Sequence, residues 1–426
     1  MRRLMRQIVS HVGRIMVPKS VYFLRRWVIR RKRNESAERK FTFLVIKLDR
    51  IGDAILAVPA MRDLRRSFPE SRILLVVRPL VGQLMKVCPY VDRVILFDLD
   101  GPRLLRPITM TARLARIGWT LAKERIDSAI VLRWDTDSLG CGIAYMSGAP
   151  VRVGYSENVN PSKAKANRGN DALLTDVLDD RSPGHEVASA LSLIERVGAR
   201  TGSSDLELWL TAQDKSQANG LLLRRPLRSD ALVGVSVGAS ERKRQWPIAR
   251  YIVVCKTLRK MGLAVVLLGS AQEAEAARAV EGALGEGVIN LAGCTSLRET
   301  AAVLARCLLI VGNDSGLVHI AAAVSVPSVV ISCHPRTGDP LHPNAPDRFA
   351  PWGVRTVVCQ PPTAISPCVA GCDAKDAHCI LGIEPHEVVD SALQLLGVAQ
   401  DRTFLARRED PASERITTVQ KRLAEC

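Results

Sequence analysis

Apolar, strand-like runs that alternate with helical stretches constrain this chain more than any other feature of its sequence. In the first half, Phe41–Leu48 reads as a strand, Asp49–Gly52 as a turn and the apolar segment from Asp53 as a helix. Further strand-like runs follow at Arg72–Arg78, Arg93–Phe97 and Ser128–Arg133. Between residues 156 and 184 the chain becomes polar and rich in Asn, Ser and Asp, which predicts a long surface loop, and a helix over Glu186–Val197 closes the half. The pattern restarts after Arg224–Asp230, a charged, Pro-containing stretch that reads as a linker. Strands are expected at Leu232–Val237, Ala264–Leu268, Leu308–Val311 and Ser328–Ile331. The fold class is therefore α/β, with parallel sheets wrapped by helices. Two similar halves are expected, over residues 41–223 and 224–397, followed by a polar tail over 398–426. A doubly wound sheet takes its ligand beyond the carboxyl ends of its strands, so two facing sheets predict a cleft. Such a cleft suits an enzyme that brings two substrates together.

Length and charge narrow the class of partner. A chain of 426 residues with 47% hydrophobic and 24% charged residues is neither fibrous nor wholly disordered. No apolar run reaches the ~18 residues that a membrane-spanning helix requires. The formal net charge is +17, but residues 1–40 hold 13 Lys and Arg against two Glu, so most of the excess sits in that tail. The tail mixes Arg with Leu, Ile, Val, Phe and Trp, as an interfacial amphipathic helix at an anionic membrane surface does. A solvated, partly disordered extension is the other reading, and both stay open. Arg interrupts the apolar stretches too often for a secretory signal, so the tail reads as retained and cytosolic. Nucleic acid is not expected as a partner, because the aromatic share is 4% and no stacking platform or zinc-finger spacing accompanies the charge.

Three turns could carry chemistry. In Asp49-Arg50-Ile51-Gly52-Asp53, where strand becomes helix, Asp53 is either an N-cap or a carboxylate held at a cleft edge as a general base. The apolar run Ala54–Val58 behind it buries the helix and aims its start at the proposed cleft. In Gly312-Asn313-Asp314-Ser315-Gly316, Asp314 reads as the N-cap of the next helix, with Ser315 and His319 four residues apart and Gly316 opening the approach. That arrangement suits a pyrophosphate, while the bland reading is a capped core helix with a buried histidine. In Ser240–Pro247, the cations Arg242, Lys243 and Arg244 beside a Gly turn could neutralise a phosphate-bearing ligand, or form a solvated charge run.

Of 11 cysteines, Cys359, Cys368, Cys372 and Cys379 cluster, with His378 adjacent. They supply enough ligands for a structural tetrahedral metal, but their spacing departs from common zinc-ribbon patterns, and a redox-sensitive disulfide or plain loop packing is the favoured reading. The triplets Asp98-Leu99-Asp100 and Asp135-Thr136-Asp137 are short enough to arise by chance. No P-loop, Gly-x-Gly-x-x-Gly after a strand, His-Glu-x-x-His or Gly-x-Ser-x-Gly is present, which removes the usual kinases, dehydrogenases, zincins and α/β-hydrolases.

Arg50–Pro59, Val151–Tyr155, Trp246-Pro247, Leu267–Ser270 and Gly312–His319, taken in order over about residues 41–396, resemble glycosyltransferase family 9, the lipopolysaccharide heptosyltransferases. The resemblance implies the GT-B fold of two Rossmann-like domains, with residues 41–223 taking the acceptor and residues 224–397 the donor. It implies an inverting, metal-independent transfer from a nucleotide-heptose, typically the ADP sugar, with no cofactor. The implied acceptor is a lipid-linked saccharide of the lipopolysaccharide inner core, at the cytoplasmic face of the bacterial inner membrane. Carried over residue by residue, Asp53 matches the family's general base, and Asp314, Ser315, Gly316 and His319 match its donor-binding turn. Relatives have Lys two residues before the Trp-Pro pair, where this chain has Arg244 preceded by Lys243. The acidic donor-side position after Leu267–Ser270 falls on Gln272 or Glu273, while Arg50 and Gly52 are expected to face the acceptor, Arg50 holding an acidic group of it. The alternatives are a related transferase using another sugar or glycolipid, and a nucleotide-sugar-binding protein without chemistry.

Overall fold

The structure is a computed structural model, and it describes residues 40–100, 106–137, 139–182, 184–223 and 231–398. All of the basic tail except Lys40, the proposed linker 224–230 and nearly all of the C-terminal tail lie outside these residues. Two compact units are present, Met1–Ser204 and Asp205–Cys426.

The first unit is built on a six-stranded sheet comprising β1 (Thr42–Lys47), β2 (Arg72–Val77), β3 (Arg93–Leu96), β4 (Ser128–Val131), β5 (Val151–Tyr155) and β6 (Asp176–Leu178). The strand order is β3-β2-β1-β4-β5-β6 and every pairing is parallel, with Thr42 to Lys47 in register against Arg72 to Val77. Both faces are covered, which is why all six residues of β1 are buried and its sequence shows no in-out alternation. The second unit repeats the plan with β7 (Leu232–Ser236), β8 (Ala264–Leu268), β9 (Val288–Asn290), β10 (Cys307–Asn313), β11 (Ser328–Ile331) and β12 (Thr356–Cys359). Its strand order, β12-β11-β10-β7-β8-β9, is the same winding with the same parallel pairing. In this order the chain leaves the first strand toward one side and the fourth toward the other, so a crevice opens at their carboxyl ends. That switch point falls between β1 and β4 in the first unit and between β7 and β10 in the second.

Two expectations change. The polar stretch 156–184 is not one loop: it holds the helix Pro161–Ala166, two short 3-10 turns and the edge strand β6. Its polar residues work as caps, since Asn160 Oδ1 accepts from the Lys163 amide (2.8 Å) and Asp171 accepts from Ser156 Oγ (2.8 Å) and the Glu157 amide (2.7 Å). Lys163 is itself buried and donates to the carbonyls of Arg133, Trp134 and Tyr155. The boundary between units falls after Ser204 rather than after Leu223. The helix Ala212–Leu223 packs on Leu297–Leu304 of the second unit, where Arg298 Nε donates to Asp214 Oδ1 at 3.1 Å. Among the described residues no helix is long and apolar enough to cross a membrane.

Lys47 ends β1 with 2% of its side chain exposed, and its Nζ contacts the Leu132 carbonyl (2.7 Å), Glu186 Oε1 (2.9 Å) and Asp49 Oδ2 (3.0 Å). Lys47→Ala would leave Glu186 buried without its counter-charge, a loss of ~3–5 kcal/mol. Urea titration followed by tryptophan fluorescence should show the first unit unfolding at clearly lower denaturant in this variant.

Candidate active site

At the switch point of the first unit, β1 runs into the helix α1 (Ile51–Leu56), and α2 (Val58–Ser67) follows directly. Arg50, with extended backbone, is the residue before the first turn of α1, and no side chain caps the helix. Asp53 is therefore not the N-cap; it lies inside the first turn, where the partial positive charge of the helix start favours a carboxylate. Arg133, just past β4, reaches across the switch point and places Nη1 3.2 Å from Asp53 Oδ1 and 3.1 Å from Asp49 Oδ1. Asp49 in turn meets Lys47, and Lys47 meets Glu186 at the start of the helix α3 (Glu186–Glu195). Burial opposes the charge on both Lys47 and Arg133, but Asp49, Asp53 and Glu186 outweigh it and hold both pKa values above their ordinary positions. Both cations stay charged, and Arg133 is the one that pairs with Asp53. Gly52 is buried and Arg50 exposed. A cavity of about 130 Å³ beside this network is lined by Asp49, Arg133, Thr136 and Asp137 among others.

The aspartate triplets serve structure. Asp137 Oδ1 accepts from the Gly140 (2.8 Å) and Leu139 (3.1 Å) amides, and burial pushes its pKa up. Asp98 and Asp100 pair with Arg113 and Arg78.

The second unit answers with cations. The helix α4 (Leu297–Leu304) precedes β10 and the helix α5 (Gly316–Ala323) follows it, with Ser315 rather than Asp314 as the N-cap of α5. No side chain caps this helix, and Ser315 Oγ is buried without a hydrogen-bond partner. His319 is buried one turn in, and Gly316 begins the helix. Asp314 is held from across the switch point by Arg244 Nη1 at 3.3 Å, and the other end of that guanidinium donates to Asn344 Oδ1. The Trp246 amide donates to Asn313 Oδ1 at 3.2 Å, so the segment after β7 and the end of β10 are tied twice. Arg242, Lys243 and Arg244 thus form a braced 3-10 turn rather than a solvated run, with Lys243 Nζ 3.1 Å from the Cys372 carbonyl. Of the two residues after β8, Gln272 is exposed, whereas the Glu273 carboxylate is taken up by the Ser270 amide at 2.6 Å in a capping box. The predicted cysteine set also changes. Cys359 lies in β12 with its Sγ 3.4 Å from Ser391 Oγ, and His378 joins Cys368, Cys372 and Cys379 in its place.

The profile of glycosyltransferase family 9 (heptosyltransferase) matches residues 116–377 of the chain. The chain belongs to this family. As a family 9 member it is a transferase, and its two Rossmann-like units are GT-B-like. It is 28% identical to lipopolysaccharide heptosyltransferase 2 of Salmonella typhimurium over 364 residues, 83% of this chain and 98% of that one. Two solved structures share the fold. A family 9 glycosyltransferase from Veillonella parvula is 22% identical with a TM-score of 0.66, covering 85% of this chain and 99% of that one. The Escherichia coli ADP-heptose lps heptosyltransferase II is 24% identical with a TM-score of 0.65, covering 84% and 100%.

In this family 9 enzyme the sequence singled out Asp53, Arg244 and Asp314 but not their partners. Lys47, Arg133, Glu186 and Asn344 become visible only once strand order is known. A charged residue directly after β4, such as Arg133, is the one signal that placed beside the switch-point rule would have found it.

Gly312 lies in β10 where a Cβ would stand 2.9 Å from Ser236 Cβ and 3.2 Å from the Ser236 carbonyl oxygen. Gly312→Ala should push β10 from β7 and displace the Asp314 turn. Thermal stabilisation by ADP should be smaller in this variant than in the parent chain, read by differential scanning fluorimetry.

Proposed function

We propose that the enzyme transfers a heptose from a nucleotide sugar, ADP-heptose, to a lipopolysaccharide inner-core acceptor by a single inverting displacement that needs no catalytic metal. The observation that carries this reading is the position of Asp53 at the β1/β4 switch point, where Arg133 pairs with Asp53 Oδ1 and with Asp49. Asp53 takes the proton from an acceptor hydroxyl as that oxygen attacks the anomeric carbon. The bond from that carbon to the diphosphate breaks, the glycosidic bond forms on the opposite face, and the nucleotide diphosphate leaves with the electron pair.

The growing negative charge on the diphosphate calls for stabilisation where it develops. The uncapped start of α5 offers amide donors, Ser315 Oγ a further hydroxyl, and Lys243 and Arg244 two cations. These groups neutralise a diphosphate without a metal. Gly316 removes a side chain from the approach, and His319 backs the helix start. Gln272, the exposed member of the pair after β8, is the better placed to reach the donor, since Glu273 is spent on its cap. Arg50 and Gly52 belong on the acceptor side, where exposed Arg50 suits an acidic group of the inner core. The choice of ADP-heptose and of a lipopolysaccharide acceptor draws on the names of the similar enzymes. An acceptor of this kind puts the enzyme at the cytoplasmic face of the membrane, held peripherally through the basic residues 1–40.

Mass spectrometry of purified enzyme incubated with ADP-heptose and inner-core glycolipid should show the acceptor gaining a single heptose; gain of another sugar from a different nucleotide donor would reject the heptose assignment. Asp53→Asn should lower kcat by ~10²–10⁴ while leaving the donor KM close to that of the parent. Turnover within a few-fold of normal would remove Asp53 from the chemistry. Deleting residues 1–40 should release the protein from vesicles containing anionic lipid, since each cation near such a surface contributes ~1 kcal/mol, while activity on a delipidated acceptor persists. Unchanged sedimentation with the vesicles would rule out the tail as the anchor.

A further inference from the structure

Between the end of β12 and the 3-10 turn Cys379–Gly382, residues 360–378 contain no helix or strand. An irregular segment this long inside a compact unit needs a source of order other than backbone ladders. Its own apolar side chains supply only part of it: Ala374 and Ala377 pack against the core, but Val369 is 81% exposed and Ile365 40% exposed. Yet Cys372 and Cys379 are buried, and Gly371 passes so close to His342 that a Cβ would stand 2.6 Å from the ring. What gathers at the centre of the segment is a set of metal-ligand side chains. One ligand atom from each of Cys368, Cys372, His378 and Cys379 lies within 4.8 Å of all the others. His378 Nδ1 is 3.6 Å from Cys368 Sγ and 3.5 Å from Cys379 Sγ. In a tetrahedral zinc centre with Zn–S of ~2.3 Å and Zn–N of ~2.0–2.1 Å, the sulfur–nitrogen edge is ~3.5–3.6 Å. None of the three thiols is bridged by a disulfide.

We propose that Cys368, Cys372, His378 and Cys379 bind one structural Zn²⁺ ion, and that this ion braces the basic turn Arg242–Arg244. Three thiolates and an imidazole are the donor set of closed, structural zinc sites, with no position left for a substrate. Two contacts run from this loop to the basic turn. Lys243 Nζ donates to the Cys372 carbonyl at 3.1 Å, and Arg242 Nε pairs with Asp376 at 2.7 Å. The next residue, Arg244, holds Asp314. A loop knotted by metal therefore fixes the position of the cations that the reading above assigns to the diphosphate. The effect on the donor rests on that reading; metal binding does not.

Untagged full-length protein, expressed with added zinc and purified without chelator, should carry about one zinc per chain by inductively coupled plasma mass spectrometry. After zinc is removed with a chelator under reducing conditions, Co²⁺ should produce the thiolate-to-cobalt and d–d absorption of a tetrahedral site, which keeps the test open should a variant fail to fold. Cys368→Ser and His378→Ala should lose the metal, whereas Cys359→Ser should keep it. Zinc removal should raise the donor KM more than it lowers kcat. Protein that holds no zinc and takes up no Co²⁺ would overturn the site, as would a disulfide among these cysteines in protein kept reduced. Equal loss of metal in Cys359→Ser would overturn the ligand set. If the metal is bound as described but no heptose is transferred, the functional reading falls and the zinc site stands.

Discussion

Buried charge at the switch point of a doubly wound sheet is the interaction on which the first unit turns. Lys47 is almost wholly removed from water, an arrangement that is tolerable only because Leu132, Asp49 and Glu186 satisfy it from three sides. Those partners come from the end of β1, the end of β4 and the start of α3, so the ion network fastens together the elements whose divergence creates the crevice. Arg133 extends the same network to Asp53. The Asp53 carboxylate is thereby tied to a network of buried charges for which other arrangements are expensive.

The second unit solves the same geometric problem with the opposite sign. Strand order is repeated, and the segments after β7 and β10 again meet at their carboxyl ends, but what they bring is a cationic turn and an uncapped helix start. Arg244 and the Trp246 amide tie the two segments through Asp314 and Asn313. The carboxylate of Asp314 is spent in holding Arg244, which leaves the helix amides to other acceptors. One winding thus serves two purposes, because topology fixes where loops converge and the side chains on those loops decide what converges there.

Most strands read from the sequence lie inside their sheets; the edge strand β3 was legible too, while β5, β9 and β12 were not. β1, β2, β7 and β8 are buried almost from end to end, so their hydrophobic runs are unbroken. β6 escaped because it is a three-residue edge strand of partly exposed residues in a polar stretch, and its neighbours are polar because they cap short helices. The helix Ala212–Leu223 lies within the stretch expected to belong to the first half, yet Asp214 meets Arg298, 84 residues later, because a helix carries no mark of which core it covers. Spacing placed Cys359 with the other cysteines, but pairing of β12 with β11 carries it away, and His378 takes its place.

The sequence by itself determined the α/β class, the two-part plan, the central strands and the turns where chemistry would sit, because burial periodicity and Gly-rich strand ends are local properties of the chain. Tertiary structure alone decided that Arg133 holds Asp53, that Arg244 holds Asp314 and that a histidine completes the thiol cluster. Each of those depends on which strand lies beside which, or on the path of a long loop, and Coulomb attraction and hydrogen bonding act across that distance in space without leaving any spacing in the sequence.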